Sequence, residues 1–222
     1  MNGDETRKRI YQKIKKLEAY REIQNLMGRT VIAYNFRQKA ELAGFFSKVQ
    51  ADISIEVADE GVFQGKEAVE AYIKEYIPQE GIPGEMMDIH LASPIIEVAD
   101  DVKTAKAQWV CPGIGALPRE NNEPLAIWNW GIIAADFTYE EGEWKIWHLH
   151  WFRLMKCDYD KGWVKDTSME NRLNKPYHPL AKPTTYHNPY TPYSIRECIP
   201  AIPRPYVTWD NSDWMLNKNR VD

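Results

Sequence analysis

Near the start of the chain, apolar positions recur every three or four residues: Ile10, Ile14 and Leu17, then Tyr20, Ile23, Met27, Val31 and Tyr34. Residues at this spacing share one face of a helix, which predicts a single helix over residues 4–33. Asp4 suits the N-cap, and Glu5 suits the positive end of the helix dipole. Ala40, Leu42, Ala43 and Phe46 mark a second, short helix over 37–46. Val69, Tyr72 and Ile73 mark a third over 66–76, closed by Pro78. Between them Ile53, Ile55 and Val57 alternate with polar neighbours, as half-buried strand residues do, and Gly61 and Gly65 bracket a short return strand.

After Gly84 the period is two. Strands are predicted over 86–98, 104–111, 126–139 and 143–154, with Asp100-Asp101 and Glu140-Glu141-Gly142 as tight turns and a wider loop over 112–124. Helices followed by an antiparallel meander make an α+β fold. The last strand is apolar on both parities: Trp144, Ile146, His148, His150 and Phe152 on one, Trp147, Leu149 and Trp151 on the other. A strand of this kind is covered on both faces. Helices cover one; a pocket wall or a second subunit is expected to cover the other. From residue 156 no period persists, and Pro, Tyr, Asn and Trp dominate. Such a segment builds no core alone, and its aromatic content predicts an extended arm, 156–222, docked on the same or a partner subunit.

Composition narrows the function. A chain of 222 residues with formal charge −4 has no dominant basic face, so nucleic acid is not expected as a partner. The basic run from Arg7 to Lys16 alternates with apolar residues and is read as the wet face of the first helix. No apolar run reaches signal-peptide or membrane-span length, so a cytoplasmic protein without a membrane partner is expected. Cys111, Cys157 and Cys198 form no CxxC pair, and the five histidines do not join them at zinc spacing, so neither disulfide nor metal is expected. Phosphate loops, nucleophile elbows and HExxH are lacking too.

Three segments in order resemble one known family. SIEVADEGVFQGKEAVEAY, from Ser54, resembles the strand–glycine–helix pattern of SnoaL-like proteins; IEVADDVKTAKA, from Ile96, resembles their central hairpin; GEWKIWH, from Gly142, resembles their last strand. The resemblance, to the SnoaL-like and scytalone-dehydratase-like superfamily, implies that residues 1–155 form a cone. Three helices would pack on a strongly curved, mostly antiparallel sheet of about six strands around an apolar cavity.

It also implies a site. Catalytic relatives often place a histidine facing the cavity at the position of His90, paired with an aspartate late in the first helix. Here Asn35 stands in that turn, beside Tyr34, so the dyad is incomplete. Asp136 resembles an acidic residue of the family and is a substitute partner for His90 or His148; Asp88 shares the face of His90. Trp109, Trp128, Trp130, Phe46 and His150 are the expected substrate-binding wall. Each residue also has a plainer reading: a rim histidine, a core tyrosine, a hairpin-end carboxylate. The function implied is a cofactor-independent lyase (dehydratase) or isomerase. It would act by proton transfer on a hydrophobic cyclic, steroid- or polyketide-like hydroxyketone, within a homo-oligomer (dimer or trimer). The alternatives are a non-catalytic binder of a hydrophobic small molecule and an oligomer-building interaction module.

Overall fold

A computed structural model describes residues 3–119, 123–169, 178–210 and 213–216. Helix α1 (Gly3–Asn35) buries Ala19, Ile23, Leu26, Met27, Thr30, Val31 and Ala33. Its N-terminal stripe is a correction to the sequence pattern, because Ile10, Tyr11, Ile14 and Leu17 are exposed. A helix of 33 residues is about 50 Å long, and only its second half meets the sheet. Arg37, at φ 59°, turns the chain into α2 (Lys39–Gly44). Strands β1 (Ser54–Val57) and β2 (Gly61–Gln64) form the short pair, and α3 (Lys66–Ala71) widens into a π-helical turn at Tyr72–Tyr76. Ile77 is already extended, the conformation preferred before Pro78.

The meander comprises β3 (Met86–Ile89), β4 (Ala92–Val98), β5 (Thr104–Leu117), β6 (Leu125–Glu140) and β7 (Glu143–Asp158). Helix α4 (Gly162–Lys165) and a two-residue β8 (Ala181–Lys182) follow. The sheet runs β3-β5-β6-β7-β1-β2-β8, with β4 also on β5. Every pairing is antiparallel except β1 with β7. This is the α+β cone, with eight strands among the described residues where about six were expected.

Two differences from the sequence pattern have local causes. The strand predicted over 86–98 breaks after Ile89, and Ser93 (φ 52°) accompanies a register shift between Ala92 and Ile95. Strand β5 continues to Leu117 where a loop was expected from residue 112. Gly113 permits this: a Cβ there would sit 2.5 Å from Ile89 Cγ2, so only glycine lets β3 approach. Residues 120–122 of the predicted loop lie outside the described residues.

The outer face of the sheet is covered by the chain's own C-terminal segment. Tyr190 N donates to Leu154 O (2.8 Å), Asp100 N to Tyr206 O (3.0 Å) and Asp101 N to Val207 O (3.2 Å). Ala134, Phe152 and Met215 form a second small core there, with Tyr186, Ile199 and Trp214 packed against it. Residues 170–177, 211–212 and 217–222 of the expected arm lie outside the described residues.

Candidate functional site

Cross-strand neighbours share a face, so Trp109, Ile133 and Trp151, which sit in register on β5, β6 and β7, all point inward. There they meet α1, α2 and the π-helical turn. The cavity left between these layers has a volume of about 50 Å³, lined by Tyr34, Phe46, Tyr72, Ile89, Trp151 and neighbouring aliphatic side chains. The wide aromatic pocket expected from the tryptophans is thereby corrected: large rings point inward and fill the space.

The cavity has one polar end. Tyr72 Oη donates to Glu60 Oε2 at 3.2 Å. Glu60 Oε1 lies 3.2 Å from Arg153 Nη1, which also pairs with Asp59; Lys156 Nζ stands 3.9 Å from Asp59 on the solvent side. The Arg153 guanidinium lies over the Trp151 ring, 4.3 Å from its centroid. Burial alone would weaken the hold of Arg153 on its proton, but the charges of Asp59 and Glu60 outweigh it and raise its pKa. Burial would likewise raise Asp59, yet Arg153 holds it below the ordinary carboxylate value. Burial and then the Glu60 charge push the Tyr34 phenol up to about 12, and the same causes raise Tyr72. Both phenols stay protonated at neutral pH and can donate a hydrogen bond. Burial pushes the Cys111 thiol up to about 12, which rules it out as a thiolate nucleophile at neutral pH.

Two buried donors at this end have no hydrogen-bond partner: Trp151 Nε1 and Arg153 Nε. A buried, unpaired N–H costs about 1–3 kcal/mol, so an oxygen acceptor that reached either donor would be stabilised.

The residues singled out from sequence divide between the two sheet faces. Tyr34 and Phe46 line the cavity. His90 does not: its side chain is 66% exposed, with Nε2 3.2 Å from Asp88 Oδ2. The break after Ile89 gives the inward position to Ile89 and turns His90 to solvent. Asn35 uses its amide on backbone, accepting from Ile89 N (3.2 Å) and donating to Ile89 O (3.0 Å), which ties α1 to β3. Asp136 and His148 do meet, Oδ2 to Nδ1 at 2.9 Å, but on the outer face, where Trp214 Nε1 also donates to Asp136 Oδ1 at 2.7 Å. His150 stacks on Phe152 at 3.5 Å on the same face. Trp109 is buried on the inner side against Phe137, Trp128 stacks on Tyr159, and Trp130 lines a gap between sheet and arm. None of these three tryptophans, nor His150, borders the inner cavity.

Sequence reasoning missed Glu60, Asp59 and Tyr72, and gave Arg153 no role. Asp59 and Glu60 lie in the turn between β1 and β2, and the parallel pairing of β1 with β7, which sets Val57 opposite Trp151, carries them to Arg153. Among the described residues no cluster of His, Cys, Asp and Glu is arranged to hold a metal, and no helix is long and apolar enough to cross a membrane.

A bent, mostly antiparallel sheet closed by helices around an inner cavity defines a cone-fold protein of the nuclear transport factor type. The SnoaL-like domain family matches residues 15–150, and the chain belongs to that family. Solved structures with the same fold include a scytalone-dehydratase-type protein from Novosphingobium aromaticivorans, at 19% identity and TM-score 0.55 over 66% of this chain and 91% of that one. A hexachlorocyclohexane dehydrochlorinase from Novosphingobium barchaimii aligns at 18% identity and TM-score 0.53 over 66% of this chain and 93% of that one. A Mycobacterium tuberculosis protein of unknown function aligns at 15% identity and TM-score 0.53, over 77% and 95% respectively. No curated protein sequence matches the chain.

Proposed function

We propose that the chain is a cofactor-independent lyase or isomerase that moves a proton next to a carbonyl in a small hydroxyketone, admitted by movement of the rings that fill the inner cavity. The observation that supports it most is that Trp151, whose buried indole N–H has no partner, lines a cavity that also holds two protonated phenols, one of them bonded to the part-buried carboxylate of Glu60. In this reading Glu60 takes the proton, while Tyr72 and Arg153 hold its carboxylate in place. Proton uptake relieves a site where two carboxylates face one buried guanidinium. Trp151 Nε1 and the Tyr34 hydroxyl donate to the oxygen as enolate charge develops, where donors in a dry site are most effective. Loss of a β-hydroxyl as water would give the lyase outcome, and return of the proton to a different carbon the isomerase outcome. The dehydratase and dehydrochlorinase among the structural relatives are compatible with proton abstraction in such a cone, although at this identity they speak for the fold alone.

Binding without turnover is the second reading, favoured by His90 lying outside the cavity and by Asn35 being engaged with backbone. A pool of cyclic ketones and β-hydroxyketones, from single rings to steroids, incubated in heavy water and analysed by mass spectrometry, separates the two. Turnover is expected to fall about 10²–10⁴-fold in Glu60→Gln and to stay near wild type in His90→Ala. Full turnover in Glu60→Gln would refute the assignment; a retained compound with no deuterium gain or water loss would establish the binding reading. Homo-oligomerisation is proposed through the exposed stripe Ile10, Ile14 and Leu17, and a monomer by sedimentation would remove it.

A further inference from the structure

The chain carries a formal charge of −4, yet four lysines converge on one groove. Between α2, the loop after it and α3 lies a depression of about 610 Å³, within the range of about 300–1,000 Å³ common for small-molecule sites. Its floor is apolar: Ala40, Ala43, Phe46, Ile53, Val69 and Ile73. Its rim carries Lys39, Lys48, Lys66 and Lys74, and Glu70 is the one acid among the lining residues.

Hydrogen bonds fix the rim. Lys39 Nζ donates to Lys74 O (2.7 Å) from one side, and Lys66 Nζ donates to Lys48 O (2.6 Å) from the other. An ammonium has three donors, and each of these bonds uses one. Glu70 is matched by Lys74 at 2.9 Å. The nearby Glu140 carboxylate is taken up by Ser47 Oγ and Lys48 N. Positive charge therefore exceeds negative charge around an apolar floor.

We propose that this groove binds a small organic acid with an apolar body, its carboxylate held at the Lys48–Lys66 end of the rim and its chain or ring laid along Ala40 and Ala43, over Phe46, Val69 and Ile73, towards Lys39. Lysines on flexible stems act as point charges and suit a single carboxylate; a planar or multiply charged group would call for arginine forks or backbone N–H cradles. The apolar floor adds the burial that a bare anion cannot use. Phe46 is shared, since the same side chain walls the groove and the inner cavity. Binding here stands apart from the proton-transfer reading and needs no turnover to be observed.

Calorimetric titration of the full chain with octanoate, 1-octanol and acetate tests it. Octanoate is expected to bind, octanol to bind at least about tenfold more weakly, and acetate to give no measurable heat. The double substitution Lys48→Gln, Lys66→Gln is expected to weaken octanoate about tenfold, as would raised salt. Ala43→Asp, an exposed position on the groove floor, is expected to abolish binding. These variants lie on the surface, and unchanged circular dichroism would show that they fold. Octanol binding as tightly as octanoate, acetate matching it, or octanoate indifferent to both sets of substitutions would each overturn the proposal.

Discussion

His150 makes the stability of this protein depend on pH in a way that can be measured. Its ring lies on the outer sheet face, stacked at 3.5 Å on Phe152 and buried beneath the arm. Burial drives its pKa down from 6.5 to about 3. Glu56 Oε1, 3.3 Å from Nε2, would oppose this, but that oxygen already accepts from Thr184 Oγ1, Thr185 N and Thr185 Oγ1. The ring nitrogen itself has no hydrogen bond. Desolvation wins. With the folded-state pKa below the unfolded one, the unfolded chain binds the extra proton, and stability is lost as pH falls from about 6.5 towards about 3. Each unit is worth about 1.36 kcal/mol, so between pH 6.5 and 4.5 His150 alone removes roughly 2 kcal/mol once the onset of titration is included. Urea unfolding at intervals across this window, for wild type and His150→Phe, isolates the effect, because the remaining groups titrate in both. Wild type is expected to lose about 2 kcal/mol more than the variant. Equal slopes would refute the reasoning. A wild type that gains on acidification relative to the variant would show that Glu56 holds the proton on the ring.

Three further outcomes follow from the site. Trp151→Phe removes an unpaired buried N–H, so urea unfolding is expected to show stability unchanged or slightly raised, while any turnover falls about 10²–10³-fold. Arg153→Met leaves Asp59 and Glu60 facing each other without their buried partner, and is expected to cost about 3–5 kcal/mol in urea unfolding. Asn35→Ala breaks both bonds to Ile89 and is expected to cost about 1–3 kcal/mol, with faster hydrogen exchange at the Ile89 amide as its local mark.

Periodicity revealed much of the fold and less of the site. Spacings of three and four located α1, and the double apolar character of β7 correctly required two covers. It could not say that the second cover is this chain's own arm, because Thr184, Thr185 and Trp214 have no period that points to Glu56 and Asp136. Glycines misled locally: Gly113 and Gly115 read as loop residues, whereas their missing side chains let β3 close on β5. The inner site was hidden for a different reason. His90 was placed in the cavity by the resemblance to catalytic relatives, whereas in this chain the strand breaks after the buried Ile89 and His90 is exposed. Arg153 lies more than ninety residues from the adjacent Asp59 and Glu60, and the parallel pairing of β1 with β7 brings them together.

The arm also sets an order of events during synthesis. It leaves the ribosome after the strands it covers, and its acceptors Glu56 and Asp136, on β1 and β6, and Asp101, in the β4–β5 turn, are made earlier. Until it arrives, the outer surface of β6 and β7 is bare, with Phe152 and Ile132 facing water. The nascent chain therefore passes through a stage in which its sheet is complete but unsheathed, the stage at which a chaperone or a second copy would find it most adhesive. Truncation before Thr184 would make that passing stage permanent.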